Sequence, residues 1–403
     1  MIKQQLSFIL RETEEINMPY SIIILDIETT INAPQPHFGA SPAYPGNRSV
    51  MIGYIADNYP LTHTSDPNEL LIDEDTLLVG HNLSFDLHYL MREMDNFPSR
   101  CSIWDTQKFE YLWTGRSIVS PSLENTCERL DVPFEKDTEI KERFKVGIGS
   151  DKIDPTLLRN YLYEDVRATQ TLFQDQLAFL QGDPYKTQYF EHMMDGIFAT
   201  TKMAHNGLPF DKTSATKEVT ELENKLAYKI QYTTGTYSAF WPEKLGVLNI
   251  LSSSQVTALL WGREVRYKTD VPLTDELGEP VLFKGGIKKG QQKTRKEDRY
   301  HDVEPLCEDD ISQEFVNKGW EKTSGAQTIN RILSLPGDSN AHAFCRDLLE
   351  IRNLSKTINT YFKPYIDFAV KGRIHPSYNH CITQTGRLSS SKPNMQNISG
   401  KSQ

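Results

Sequence analysis

Ser21 to Leu25 is a run of mainly β-branched and aliphatic residues that leads into Asp26, and similar short apolar runs return at Val50 to Ile55 and at Leu77 to Val79. Runs of this length predict buried strands, the first delivering a polar residue at its end. Between the first two lies Ala33-Pro34-Gln35-Pro36 through Pro45-Gly46, too rich in Pro and Gly for a regular element, which reads as a loop. After His81-Asn82 the spacing becomes helical, with Phe85, Leu87, Leu90 and Met91 apolar and Ser84 placed as N-cap. A second helix is predicted from Pro155 to about Leu180, with proline near its first turn and Leu157, Leu158, Tyr161, Val166, Leu172 and Phe173 at the apolar positions. Strands followed by helices predict a mixed α/β domain over residues 1–182, closed by the turn cluster Gln181-Gly182-Asp183-Pro184.

Beyond that turn the pattern is mainly helical. Val219, Leu222, Leu226 and Ile230 recur at three and four residues, and a long helix fits Phe344 to Phe362 through Leu348, Ile351 and Ile358. The stretch from Leu277-Gly278 to Arg299 is rich in Gly and Lys and reads as a mobile loop or hairpin. Near the end, Thr385-Gly386-Arg387-Leu388-Ser389-Ser390-Ser391 has loop chemistry.

With 403 residues the chain is sized for two or three domains. It has no apolar stretch long enough to cross a membrane and no apolar run of a signal peptide near its start, so it is expected in the cytoplasm, with no membrane partner. Five cysteines, far apart and without a C-x-x-C pair, predict neither a disulfide framework nor a zinc cage. Net charge is −10, but it is unevenly spread. Lys284 to Arg299 holds five Lys and two Arg against Glu297 and Asp298, and Ile351 to Gln403 holds eight basic residues against Asp367 alone. An acidic N-terminal part can therefore hold metal while the basic C-terminal part meets a polyanion.

Four carboxylates in three places carry the sharpest chemical signal. Asp26 and Glu28 are two apart on a strand, so both project to one side of the sheet. Asp86, in Asn82-Leu83-Ser84-Phe85-Asp86, stands at the start of a helix. Asp165 lies four residues after Tyr161 and shares its helical face. Taken as D-x-E, N-x-x-F-D and Y-x-x-x-D in this order, the set resembles the 3′→5′ proofreading exonucleases of the DnaQ-like, RNase H-like group, in the branch with a tyrosine in the third motif. The resemblance implies that Asp26, Glu28 and Asp165 hold one divalent ion, that Asp26 and Asp86 hold a second, and that Tyr161 orients the attacking water. Two Mg²⁺ or Mn²⁺ ions about 3.5 to 4 Å apart would supply hydroxide, neutralise the transition state and stabilise the leaving 3′-oxygen. Such hard cations take carboxylate oxygens, and four acids gathered without cations would repel one another. Asp105, in Trp104-Asp105-Thr106, is expected to be a cap rather than a ligand.

A second resemblance runs from about residue 191 to the end. Met203-x-x-x-Gly207-Leu208-x-x-Asp211, Leu248-Asn249-Ile250-x-Ser252-x-x-Gln255, Glu350-x-Arg352-x-Leu354-x-Lys356, Gly372-Arg373-Ile374-His375-Pro376 and the T-G-R-L-S-S segment with Pro393-Asn394-x-Gln396-Asn397 resemble the thumb and palm entry of family A (Pol I type) DNA polymerases, of a phage-like kind. The resemblance implies a helical thumb over 183–370 with a basic loop at 277–300, and the start of a palm, truncated, over 371–403. It also implies that Arg387, Asn394, Gln396 and Asn397 touch the primer–template and that Arg352 and Lys356 face the duplex backbone. Because no palm carboxylates or fingers follow, the expected function is the proofreading and DNA-gripping half of a split or truncated polymerase. It would act on single-stranded 3′ ends and primer–template DNA, release 5′-monophosphates, and synthesise only with a second chain carrying palm and fingers. The basic loop Lys284 to Arg299 is expected either to grip DNA at the thumb tip or to seat a processivity factor. The other readings are an RNase D-like RNA exonuclease and a non-catalytic DNA-binding scaffold subunit.

Overall fold

The fold is that of a computed structural model describing residues 21–33, 37–57, 59–135, 137–180 and 183–397. The chain forms two compact units, one running up to Lys212 and resuming at Pro364, the other spanning Thr213–Lys363.

The first unit is built on β1 (Ile22–Thr29), β2 (Ser49–Ala56), β3 (Thr62–Thr64), β4 (Leu77–Gly80) and β5 (Ser102–Asp105), a five-stranded sheet in the order β3-β2-β1-β4-β5. Strands β1, β4 and β5 are parallel, whereas β2 runs antiparallel to both β1 and β3. The three apolar runs are thus strands, and the first extends further than its apolar residues: Asp26 and Glu28 lie inside β1, at the centre of the sheet. Pairing of β1 with β4 stops at Ile24↔Val79, which frees the C-terminal part of β1 on that side.

Helices α1 (Ser84–Glu93), α2 (Thr106–Trp113), α3 (Leu123–Arg129), α4 (Thr138–Lys145), α5 (Pro155–Leu180) and α6 (Pro184–Asn206) complete the first part of this unit. Ser84 is not the N-cap of α1. Leu83 precedes that helix in helical geometry without a side-chain cap, and the carboxylate of Asp105 instead accepts the amides of Asn82 and Leu83 at 3.1 and 3.0 Å. The expected boundary at the 181–184 turn falls inside the unit. Gln181 and Gly182 lie outside the described residues, but Asp183 caps α6, and Phe190, Met194 and Ile197 on that helix share one core with Leu25, Leu78 and Trp104. The turn is a reversal between two helices of one unit, because burying those side chains requires α6 to fold back.

After β6 (Leu208–Pro209) the second unit contains α7 (Lys212–Tyr237), α8 (Ser253–Trp261), a two-stranded ribbon of β7 (Glu264–Pro272) and β8 (Thr294–Asp302), α9 (Asp309–Asn317), α10 (Ala326–Ser334) and α11 (Asn340–Lys356). Its core gathers Trp261, Phe315, Phe344, Leu348 and Ile351, so the expected long helix is present and buries the expected face. The helix passes into a π-helical turn at Thr357–Phe362, where the Lys363 amide reaches Ile358 O, and Pro364 removes the next donor. α12 (Lys363–Phe368) then leads to β9 (Ala369–Val370), β10 (Arg373–Ile374), β11 (Ser377–Asn379) and β12 (Ser389–Ser391). The Thr385–Ser391 stretch is therefore loop only in part. Ser389–Ser391 pairs with β11, and the buried Ser390 hydroxyl accepts the Met395 amide at 2.8 Å.

Candidate functional site

Alternation along β1 sends Asp26 and Glu28 to the same face. Opposite Asp26 on β2 stands Gly53. A Cβ there would come 2.8 Å from Leu162 Cγ and 3.2 Å from Val166 Cγ2, so the missing side chain lets α5 settle closely against the sheet. Leu162 and Val166 follow Tyr161 and Asp165 directly in sequence, and the close approach carries those two residues to β1. One carboxylate oxygen each from Asp26, Glu28 and Asp165 lies within 4.8 Å of the others. Glu28 and Asp165 are buried and Asp26 is half-buried.

The surroundings fix this trio. The Ser150 hydroxyl donates to Glu28 Oε2 at 2.8 Å from a short 3₁₀ turn, Ser150–Lys152. Gly149 allows that turn to pass against the end of β1, since a Cβ would meet the Ile31 nitrogen at 2.5 Å. Asp86 accepts the Ile27 amide at 3.1 Å, on the strand segment that β4 leaves unpaired. Burial pushes the Asp86 carboxyl well up, its own amide and that of Ile27 oppose this, and the charges of Asp105 and Glu28 add to it. Its oxygens are not among the clustered three. Burial also raises the Tyr161 phenol, and the next largest causes are the charges of Asp165, Glu28 and Asp26. Asp105 is the N-cap of α2 and accepts four amides in all, those of Asn82, Leu83, Gln107 and Lys108.

Three carboxylates converging without His or Cys form a donor set for a hard divalent cation such as Mg²⁺ or Mn²⁺.

The C-terminal motifs meet in the same unit. β10 pairs with β6, so Gly372-Arg373-Ile374-His375 lies beside Gly207-Leu208. Arg373 donates through Nε to Asn206 O at 2.6 Å and through Nη2 to Gly207 O at 3.1 Å. Gly207 has φ +63°, and a Cβ on it would stand 2.7 Å from His375 Nδ1. The following segment is fastened to α2 and the loop after it: Tyr111 donates to Thr383 O at 2.6 Å, Lys108 to His380 O at 3.2 Å, and the Ser120 amide to Cys381 O at 2.7 Å. Arg387, Asn394, Gln396 and Asn397 are all exposed, with Asn394 Oδ1 accepting the Gln396 amide at 3.0 Å.

In the second unit, Arg352 and Lys356 line an open cleft of about 1220 Å³ together with Arg263, Arg266, Gln255 and Asn359. The Arg352 guanidinium is half-buried and donates to Ser324 O at 2.5 Å, so it braces the wall of the cleft as well as facing it.

Sequence reasoning missed Ser150 and Gly53. Neither carries a local signal, since a serine in a turn and a glycine in a strand are common, and only the fold places one on Glu28 and the other under α5.

Residues 309–403 match the family described as DNA polymerase family A. A DNA polymerase of Bacillus phage SP01 is 24% identical over 358 residues, covering 83% of this chain and 35% of that protein. A thermostable DNA polymerase I of Thermus aquaticus is 40% identical over 98 residues, which are 24% of this chain and 11% of that protein. The chain thus spans about a third of the phage relative and about a tenth of the Thermus one. Among solved structures, the POL domain of Pol1 from M. smegmatis, in complex with DNA primer-template and dNTP, matches 94% of this chain and 53% of its own, with TM-score 0.51 at 17% identity, a likeness of fold. The chain is related to the family A DNA polymerases.

Proposed function

We propose that the chain is the 3′→5′ exonuclease and DNA-gripping part of a family A DNA polymerase, hydrolysing the terminal phosphodiester of a single-stranded or frayed 3′ end and releasing 5′-monophosphates. The convergence of Asp26, Glu28 and Asp165 at the centre of a sheet ordered 3-2-1-4-5, an RNase H-like arrangement, carries the reading. Divalent ions held there would supply a hydroxide near neutral pH and neutralise charge on the phosphate. The chain's own residues provide the rest. Ser150 keeps Glu28 turned toward the trio, and Asp86 stands against the Ile27 amide, where a second ion would call on it together with Asp26. Tyr161, its phenol kept protonated, is assigned the orienting of the attacking water.

Arg387, Asn394, Gln396 and Asn397 are assigned to the primer–template, and Arg352 and Lys356 to the duplex backbone. Their chemistry suits phosphate and groove acceptors without demanding one sequence. The match of 309–403 to a polymerase family disfavours the RNase D-like reading.

The test is a gel assay on a 5′-labelled primer–template with Mg²⁺, with and without dNTPs, beside Asp26→Ala. Shortening of the primer that requires Mg²⁺ and Asp26 is the expected result. Absence of shortening at every Mg²⁺ and Mn²⁺ concentration would leave the scaffold reading in its place.

A further inference from the structure

Helix α1 begins without a cap of its own. Leu83 precedes it in helical geometry and has no side chain to cap with, and Asn82 sits at φ +63°, a left-handed conformation that the surroundings must hold. Asp86 stands in the first turn of this helix, the part that frays when its amides lack acceptors. The joint is held instead from the end of β5. Parallel register puts Asp105 beside Gly80, next to the turn that leads into α1. Asp105 Oδ2 accepts the Leu83 amide at 3.0 Å, while Oδ1 accepts the Asn82 amide at 3.1 Å together with those of Gln107 and Lys108 on α2, at 2.9 and 3.1 Å. The adjoining Thr106 hydroxyl lies 3.2 Å from Gly80 O and 2.9 Å from His81 Nδ1. Asp105 is only 4% exposed, so water does not compete for these bonds.

We propose that Asp105 is a positioning residue for hydrolysis: by holding the Asn82 and Leu83 amides it fixes the first turn of α1, and with it the Asp86 carboxylate against the Ile27 amide, in place for the second divalent ion. The proposal rests on the two-ion reading above and adds a residue that touches neither ion. Capping of α2 does not account for the arrangement. That cap uses Oδ1 alone, with partners two and three residues along the chain, whereas Oδ2 is spent on Leu83 of the other helix. A side chain that only capped α2 could be a serine. An ionised carboxylate has no proton to turn toward an amide, so both its oxygens accept, and one residue can serve the starts of two helices. The placement of Asp86 is thereby set by a strand of the sheet that also carries Asp26 and Glu28, rather than by the local sequence of α1.

Asp105→Ser separates the two roles, because serine keeps an acceptor for α2 but its single oxygen cannot serve the α1 amides as well. The measurement is Mn²⁺ binding to the full chain by titration calorimetry, for the unaltered chain, Asp105→Ser, Asp86→Asn and the double variant, with the Mn²⁺ dependence of hydrolysis beside it. Asp105→Ser should lose about tenfold or more in affinity for the weaker of two ions, with the tighter ion unchanged within twofold. The Mn²⁺ needed for half-maximal hydrolysis should rise by the same factor, and adding Asp105→Ser to Asp86→Asn should bring no further loss. Additive losses in the double variant, or equal weakening of both ions, would overturn the positioning role and leave Asp105 a cap that serves the fold. An unchanged affinity for both ions would overturn it too. If Asp105→Ser does not fold, as read from its thermal midpoint, Asp105→Asn carries the same test, since it keeps Oδ1 and turns an amide donor on Leu83. Binding of fewer than two ions by the unaltered chain would overturn the two-ion reading itself and this role with it, a failure distinct from the others because it appears before any substitution is made.

Discussion

In the sheet unit, like charges are gathered: Asp26 and Glu28 on one strand and Asp165 on a facing helix bring carboxylate oxygens within 4.8 Å. In the helical unit, opposite charges are interleaved: Lys229 bridges Asp347 and Glu350 at 2.9 and 2.8 Å, and the ribbon pairs Arg266 with Asp298 and Lys296 with Asp270. The first arrangement costs free energy unless a cation joins it or a carboxyl takes up a proton. The second is a surface at rest, with basic groups left over in the cleft beside Lys356. Loss of one acid should therefore be all-or-none, whereas loss of one base should be graded.

The strongest way to break this contrast is Asp165→Ala, which should lower nuclease turnover by about a thousandfold while duplex affinity in EDTA stays within twofold of the unaltered chain. Parallel loss of both would merge the two regions into one. Gly53→Val should drive α5 off the sheet: overpacking costs about 1 to 3 kcal/mol of stability, and displacing Asp165 by about 1 Å can cost a hundredfold in rate. A rate that survives in a folded Gly53→Val protein would show that the close approach of α5 is not what sets the trio. Ser150→Ala removes only the group that holds Glu28, with an expected loss of about ten- to a hundredfold in apparent Mg²⁺ affinity, read from titration of activity against the ion. Smallest is Arg387→Ala, about tenfold weaker in primer–template binding and without effect on hydrolysis of short single strands.

Much of the acid site was legible because its spacings are those of regular elements. A period of two puts Asp26 and Glu28 on one face of a strand, and a spacing of four puts Tyr161 and Asp165 on one face of a helix. Asp86 was legible as a residue at a helix start, but its bond to the Ile27 amide depends on where β4 stops pairing with β1. The Ser84 cap failed for a similar reason: Asp105, 21 positions on in sequence, supplies the acceptor from the end of a neighbouring strand.

By itself the sequence determined what each element is and which chemistry it carries, since helical and strand periods, acid spacing and the T-G-R-L-S-S segment are all local. Tertiary structure alone decided which elements share a unit. It folded α6 back onto the sheet where a boundary had been expected, joined Gly207-Leu208 to Arg373-Ile374 across more than a hundred and sixty residues, and used an absent side chain at Gly53 to set the depth of α5. Periodicity reports which face of an element is buried; it does not report against what, because burial of apolar area has no direction and any complementary face would satisfy it.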